Sequence, residues 1–271
     1  MRRRATWLIA ALAWAYATQA HAAWVQSKGK SLIISSLSEY RADARFDSLA
    51  RRAPASAYRK QELSVYGVYG LTEKLTLGAQ PSFFRLRAAS APGGRRQGMN
   101  GFSHIELFAR ARLLTGDFWV VSAQALVKLP GPDAPDREPL LEASSSDLEG
   151  RLLFGQSGRL APQWLNLKYF TSLEAGYRLR GAHAADQWRG DASFGVTPMR
   201  NYQIIIQSFN IVSVRYPDGS DPTAYDLYKA QVSVVRDLPH GLGVQVGGFR
   251  EYTGRNIGAG NALFAAIWSR F

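Results

Sequence analysis

The stretch that decides the fold is residues 160–180, LAPQWLNLKYFTSLEAGYRLR, in which two kinds of residue alternate from Leu165 onward. One set of alternate positions is largely apolar: Leu165, Leu167, Tyr169, Thr171, Leu173, Ala175, Tyr177 and Leu179. The other set is largely polar: Asn166, Lys168, Phe170, Ser172, Glu174, Gly176, Arg178 and Arg180. A period of two predicts a β-strand with one apolar face and one polar face. About 15 alternating residues exceed the usual 5–6 of a soluble-protein strand and suit a tilted strand that crosses a membrane.

Length and composition are compatible with a membrane-spanning sheet. The 271 residues suffice for one large β domain or two smaller ones, and the 20% of charged residues can line a pore or loops. After the N-terminal region, no segment reaches the run of about 18 apolar residues that a membrane helix needs. Strands that enter a membrane must close into a barrel, because lipid leaves open sheet edges unpaired. The absence of cysteine excludes disulfides, thiolate metal sites and cysteine nucleophiles.

Residues 1–22 have the three parts of a secretory signal peptide. These are a basic start, an apolar core and an A-x-A cleavage motif: Arg2-Arg3-Arg4, residues 7–17 and Ala20-His21-Ala22. An uncleaved anchor is the alternative, but this core is too short to span a membrane. We predict that residues 23–271 form the mature barrel. Its net charge falls from +12 to +9, because the signal contains three arginines and no acid.

Twelve alternating segments follow the signal. They are 30–40, 59–70, 74–86, 102–113, 118–129, 147–155, 164–180, 188–197, 202–214, 225–236, 242–252 and 260–271. Ten or fourteen strands remain open, because segments 147–155 and 202–214 are the least regular.

The connections between these segments alternate in length. Tight turns are predicted at 71–73, 115–117, 198–200 and 239–241. The other connections are longer or intermediate: 41–58, 88–101, 130–139, 156–163, 183–187, 216–223 and 253–258. Both ends of the strand series fall on the short-turn side, which is the layout of an outer-membrane barrel. The predicted fold is therefore all-β: a transmembrane antiparallel up-and-down β-barrel of about 12 strands.

Three places disturb the alternation. The apolar run 204–206 (III) and the pair Gly247-Gly248 each predict a phase change or β-bulge. Pro81 lies inside the third segment, where it removes a hydrogen-bond donor from the ladder. Because a closed barrel has no free edge for a proline, we predict a local bulge or kink there.

The C-terminus resembles those of outer-membrane barrels, which usually end on Phe after apolar residues at alternate positions. The barrel-assembly machinery reads this pattern. The residues that fit are Phe271, Ile267, Ala265 and Leu263, whereas Ser269 departs from the pattern and places Trp268 on the opposite face. The resemblance implies that Phe271 is presented to that machinery.

Three tryptophans fall near the ends of predicted strands. Trp119 and Trp164 lie at short-turn ends and Trp188 at a long-loop end, as interfacial aromatic girdles require. The alternative is that these are core aromatics of a soluble periplasmic β-sandwich. That alternative does not explain the alternation of loop lengths.

One hairpin resembles a known family. Glu62 followed by residues 66–78, YGVYGLTEKLTLG, is similar to a hairpin of the outer-membrane proteins grouped as the meta-pathway phenol-degradation (MetA-pathway) family, often described as transporters. The opening WVQSKGK (24–30) is also similar, and residues 237–247 repeat the hairpin more weakly. The resemblance covers a small part of the chain. It implies uptake of small, often aromatic molecules.

Alternation assigns many charged side chains to the barrel interior. The basic ones are Arg110, Arg112, Lys128, Arg151, Lys168, Arg178, Arg180, Arg189 and Lys229; the acidic ones are Glu62, Glu106, Asp147, Glu149, Glu174 and Asp191. An excess of Arg and Lys along a water-filled lumen favours anions or polar solutes. Alternatively, opposed Arg and Glu pair across the lumen and fill it. Segments 41–58 and 130–146 are the candidate constrictions or lids.

A catalytic barrel needs a His with a Ser or Asp partner near the rim. The candidates after signal removal are His104, His183 and His240. Ser103 should point to the face opposite His104, which excludes that pair, and His183 with Asp186 is a weak acid–base candidate. No hydrolase motif, metal site or cofactor site is evident. We therefore predict an outer-membrane channel for small molecules that is not an enzyme. A plugged structural barrel and, less favoured, an outer-membrane hydrolase are the alternatives.

The positive net charge of the chain also limits the choice of binding partners. A nucleic-acid partner conflicts with the signal peptide. We expect contacts with outer-membrane lipid and with lipopolysaccharide phosphates at the outer rim. Arg51-Arg52 and Arg95-Arg96, in the longer connections, suit that role, although they can equally be solvated loop charges.

Overall fold

The computed structural model describes residues 23–88, 97–131, 146–160, 167–181, 184–215, 221 and 223–271. These residues form an all-β structure. The strands are β1 Ser31–Phe46, β2 Arg52–Gly70, β3 Leu75–Ala88, β4 Gln97–Thr115, β5 Trp119–Pro130, β6 Asp147–Leu160, β7 Leu167–Arg180, β8 Gln187–Met199, β9 Tyr202–Ser213, β10 Asp226–Asp237, β11 Leu242–Arg255, β12 Ile257–Gly258 and β13 Asn261–Arg270. Within these ranges, no helix is long and apolar enough to cross a membrane.

The sheet closes on itself. Each strand pairs antiparallel with its neighbours along the chain, and β1 pairs with both β2 and β13. The two-residue β12 only extends the edge of β1, at Arg45 and Phe46. The structure is therefore a closed antiparallel barrel of 12 full strands, which confirms the predicted fold.

Residues 41–58 are not a long loop, so the prediction of a lid there was wrong. β1 and β2 continue as a paired hairpin to Phe46 and from Arg52, joined only by residues 47–51. Asp47 closes this turn: its Oδ1 accepts hydrogen bonds from the N–H groups of Leu49 at 2.8 Å and Arg51 at 2.9 Å. The bond from Arg51 lowers the pKa of the Asp47 carboxyl below its ordinary value. Most of the other candidate lid, 130–146, lies outside the described residues.

The alternation of β7 sorts its side chains between two surfaces. Phe170, Ser172 and Arg178 are at most 3% exposed, whereas Leu173 and Leu179 are more than 50% exposed. The same sorting runs around the barrel and leaves an apolar exterior belt, which includes Leu37, Leu63, Leu77, Leu107, Leu152, Ile206, Val234, Val246, Leu263 and Ile267. A soluble monomer rarely exposes an apolar patch beyond about 300–600 Å². A belt around the whole wall suits contact with lipid.

Four glycines on the inner wall each make room for an aromatic ring. A Cβ atom on Gly195 would lie 1.9 Å from the Phe170 ring, and one on Gly78 would lie 2.1 Å from Phe108. The other two pairs are Gly155 with Trp24 and Gly247 with Phe264. Large rings therefore lie flat against the wall, and the interior is closely packed at these points.

Of the three predicted irregularities, two are present. The β3–β4 register shifts between Ser82 and Phe83, directly after Pro81, as predicted. Beside 204–206, the β8–β9 register shifts between Val196, which pairs with Ile204, and Met199, which pairs with Tyr202. The run itself keeps its alternation, because Ile205 faces the packed interior while its two neighbours face outward. Gly247 and Gly248 keep a continuous register. Their role is steric, since Gly247 accommodates Phe264.

The strand ends carry the expected aromatic residues where they are described. Trp188 is 59% exposed and lies edge-on to Tyr177, with ring centroids 4.8 Å apart. Trp119 is partly buried, and Trp164 lies outside the described residues. Phe271 is 67% exposed and donates its N–H to the Ser31 carbonyl at 3.0 Å. Its recognition by the assembly machinery stays a prediction.

We expect Gly195→Ala to destabilise the barrel by about 1–3 kcal/mol, because the new methyl group overlaps the buried Phe170 ring. The midpoint of urea unfolding, followed by the heat-modifiable gel shift of the folded barrel, measures the effect. Gly150→Ala is the matched control, since a Cβ there meets nothing within 4 Å. Equal midpoints for the two variants would contradict the packing described here.

Candidate functional site

The interior near the short turns contains a packed apolar cluster. This cluster, called here the apolar layer, comprises Leu32, Val68, Phe108, Leu126, Phe170, Ile205, Val235, Ala266 and Trp268, with Ile34 and Tyr66 against it. These side chains come from β1, β2, β4, β5, β7, β9, β10 and β13, and every cluster member is less than 9% exposed. Trp268, which the C-terminal pattern had assigned to the inner face, donates its indole N–H to the Gln245 Oε1 at 3.0 Å. The layer therefore restricts water along most of the barrel circumference.

The segment that precedes β1 lies inside the barrel. We call residues 23–30 the N-terminal segment. Ala23 is fully buried and packs against Val120 of β5 and Leu153 of β6, with Trp24 beside them. The Trp24 ring occupies the space above Gly155. These eight residues show no periodicity that would predict this placement.

A few polar contacts hold the N-terminal segment. The Ser122 hydroxyl donates to the Ala23 carbonyl at 2.7 Å, and the Gln26 N–H donates to Thr76 Oγ1 at 2.8 Å. Arg110 Nη1 donates to the Trp24 carbonyl at 3.3 Å. Beyond these, the Gly29 N–H donates to the Gly70 carbonyl at 2.8 Å. The segment is thus attached to the wall mainly through its backbone.

The half of the barrel interior near the long loops contains an ion-pair network centred on the buried carboxylate of Glu149. The Glu149 side chain is fully buried and accepts hydrogen bonds from Arg178 Nε at 2.5 Å and from Arg151. Arg189 Nε lies 3.6 Å from the same carboxylate. One acid on β6 therefore interacts with three arginines.

Further acids complete the network from other strands. Arg151 Nη1 donates to Glu174 at 3.0 Å and to Asp191 at 2.6 Å, so it reaches over β7 to β8. Arg178 Nη2 donates to Glu106 of β4 at 2.8 Å. Two longer contacts reach Asp147, whose Oδ2 lies 3.9 Å from Lys128 Nζ and 3.9 Å from Arg178 Nη1. These basic side chains are largely neutralised by neighbours, which is the arrangement that fills a lumen.

The other predicted interior cations lie outside this network. Arg110 is 6% exposed and donates to Gln124 at 2.8 and 3.1 Å. Arg180 donates to the Thr223 carbonyl at 3.0 Å. Arg112 is partly exposed, and Lys168 is exposed near the short-turn end of β7.

Lys229 lies among aromatic rings. Its Nζ is 4.5 Å from the Phe209 ring centroid and 4.6 Å from that of Phe249, within cation–π range. Phe249 also stacks on Tyr40, whose hydroxyl donates to Glu251. Sequence reasoning missed these aromatics, although Phe249 and Lys229 share the inward parity of their strands.

The Ser103–His104 pair corrects one prediction. The Ser103 hydroxyl and His104 Nδ1 are 3.0 Å apart, although adjacent strand residues should face opposite sides. Ser103 is the extra residue of the β4 bulge, so its side chain turns toward His104. The nearby Glu106 binds Arg178 instead of the histidine. His183 lies outside the described residues, and Asp186 accepts from Tyr177 and the Arg180 N–H.

Within the described ranges, no group of three or more His, Asp or Glu side chains is placed to hold a metal ion.

Solved structures with this fold include an outer-membrane channel and a porin. The chain is similar to the COG4313 outer-membrane channel from Pseudomonas putida F1, with 12% identity and a TM-score of 0.65 over 94% of this chain and 100% of the channel. It is also similar to the KdgM porin, with 9% identity and a TM-score of 0.51 over 88% of this chain and 99% of the porin. At these identities the likeness shows the fold. No family model and no curated protein matches the chain, so the meta-pathway resemblance stays a prediction.

We expect Glu149→Gln to destabilise the barrel by about 3–5 kcal/mol, because it removes the charge that three buried arginines share. Urea unfolding of the refolded protein measures the loss. Asp43→Asn is the control, since Asp43 lies 3.7 Å from the exposed Arg52 at the hairpin tip and its loss should cost below about 1 kcal/mol. A Glu149→Gln variant as stable as the wild type would show that the network contributes nothing.

Proposed function

We propose that the protein is an outer-membrane channel for small molecules and that the conformation described here is its closed state. The observation that carries the proposal is the N-terminal segment inside the short-turn end of a closed barrel. The apolar exterior belt supports the membrane location. The fold shared with a protein described as an outer-membrane channel and with a porin supports the channel role.

The N-terminal segment is suited to move without unfolding the barrel. It pairs with no strand along most of its length and is held by a small cluster and a few hydrogen bonds. Each such bond contributes only about 0.5–1.5 kcal/mol net. The strand ladders, in contrast, close the wall independently of the segment.

The preference of the open channel is for small polar or anionic molecules. In the closed state the Arg110 guanidinium is satisfied by Gln124 and by the Trp24 carbonyl, and no carboxylate among the described residues pairs with it. Departure of the segment leaves this cation facing the opened passage. The ion-pair network adds little net charge, because its cations have acidic partners. A fixed cation at the narrow part of a passage favours anions.

Single-channel recording in a planar bilayer tests the gate. We expect the mature wild-type barrel to be mostly closed, and a variant without residues 23–28 to conduct in stable steps that are several-fold larger. Lys28→Ala is the control, because Lys28 is exposed and lies in the same segment. A folded deletion variant that never conducts would favour the alternative of a plugged structural barrel, sealed by the apolar layer alone.

A salt gradient across the same bilayer tests the solute preference. In the deletion background, Arg110→Gln should move the reversal potential toward cation preference, because it removes a fixed cation from the passage. Lys168→Gln removes an exposed cation near the strand end and should leave the potential nearly unchanged. Equal shifts in both variants would assign the selectivity to overall charge.

A further inference from the structure

The apolar exterior belt is narrower on one side of the barrel. On β5 to β9, the outer surface stays apolar toward the long-loop ends, with exposed Leu129, Leu148, Leu179, Trp188 and Val212. On β11, β1, β2 and β3, arginines on the outer surface lie at the same distance from the short turns as these apolar residues. We call these the arginine row: Arg250, Arg41, Arg59, Arg85 and Arg87. Both groups lie about ten residues from the short-turn ends of their strands, which places them at a similar depth in a bilayer.

The arginine row faces outward. On the same faces of the same strands, and nearer the short turns, Leu37, Leu63 and Phe83 are exposed members of the apolar belt. Arg41 is directly opposite Arg59 across the β1–β2 ladder, and Arg59 is directly opposite Arg87 across the β2–β3 ladder. Three arginines thus stand side by side on neighbouring strands.

The charge of this row is only partly balanced by the protein. Glu39 binds Arg41 and Arg59, each at 2.5 Å. Among the residues that the structure describes, no carboxylate pairs with Arg85, Arg87 or Arg250. Like charges directly opposite in a ladder destabilise a sheet, and a guanidinium at the level of lipid is costly without an anion. The arrangement therefore calls for an external anionic partner.

We propose that the arginine row binds the phosphate groups of a diphosphorylated glycolipid of the lipid A type, with its acyl chains along Leu37, Leu63 and Phe83 beneath. Arginine binds phosphate bidentately, which suits the forks presented by adjacent strands. With strands about 4.8 Å apart, a row from β11 to β3 spans roughly 15–20 Å, more than one phosphate covers. The proposal rests on the outer-membrane location proposed above, with the long loops outside.

This surface differs from the one that sequence analysis favoured. Arg51 binds Asp47 at 2.9 Å and Arg52 lies 3.7 Å from Asp43, at the tip of the β1–β2 hairpin beyond the apolar belt. Arg95-Arg96 lies outside the described residues. The row was missed in part because 41–58 was interpreted as a loop, which removed Arg41 from the wall.

Native mass spectrometry of the refolded full barrel in detergent tests the proposal, with diphosphoryl lipid A, monophosphoryl lipid A and phosphatidylglycerol as probes. The wild type should bind diphosphoryl lipid A at least about tenfold more tightly than phosphatidylglycerol, with the monophosphoryl form between them. The triple variant Arg59→Gln/Arg85→Gln/Arg87→Gln should lose at least about tenfold in lipid A affinity.

The control variant Arg45→Gln/Arg51→Gln/Arg52→Gln removes the same charge from the hairpin tip and should bind as the wild type does. The heat-modifiable gel shift verifies folding; Arg87→Gln alone, which leaves the Glu39 pairs intact, should show a smaller loss in the same direction. Equal losses in both triple variants, or equal binding of phosphatidylglycerol and lipid A, would overturn the proposal. So would a change in oligomeric mass with unchanged lipid binding, which would make the row an interface between copies. Because lipid binding is measured without conduction, a silent channel does not affect the result.

Discussion

The structure depends on the pairing of β1 with β13, because this ladder removes the only two edges that a twelve-stranded sheet would otherwise have. Ten consecutive residue pairs join the strands, from Leu32–Arg270 to Arg41–Asn261. Once the edges are gone, every strand can be satisfied in an environment that offers no hydrogen bonds. Closure also fixes an inside and an outside, so the period of two becomes a sorting rule for side chains. The apolar belt, the ion-pair network and the arginine row are all products of that sorting.

The interior is divided by chemistry along the barrel. Toward the short turns, aromatic and aliphatic side chains exclude water and leave a place for the N-terminal segment. Toward the long loops, charged groups are buried, and burial obliges each to find a partner. Glu149 matters most among these groups, since its loss leaves arginines from three strands without their shared acid. The rigid charged half and the loosely attached segment therefore have opposite roles in the proposed channel.

Sequence reasoning succeeded where one local rule decides the outcome. The alternation in 167–180 correctly separated Arg178 from Leu179, and the loop-length pattern gave the strand number. Sequence reasoning failed where the partner of a side chain lies on a distant strand. Nothing in the sequence near Arg151 indicates that its partner is Asp191, two strands away. The β1–β2 hairpin beyond residue 40 was missed because its outward side chains become polar, Arg41, Asp43 and Arg45, although the alternation itself continues. The Ser103–His104 contact was missed because a bulge cancels the parity rule.

The N-terminal segment is joined directly to the wall that it closes. Gly29, at φ 75°, turns the chain where the segment meets β1, and its N–H is bound to Gly70. A blocking group on so short a tether returns to its site as an intramolecular event, at an effective concentration on the order of millimolar. In the proposed channel, reclosure would then be fast even though each contact is weak, and the lifetime of the open state would be set by how long the segment is held elsewhere. A solute or partner that captured Trp24 outside the lumen would control the proposed channel without touching the barrel wall.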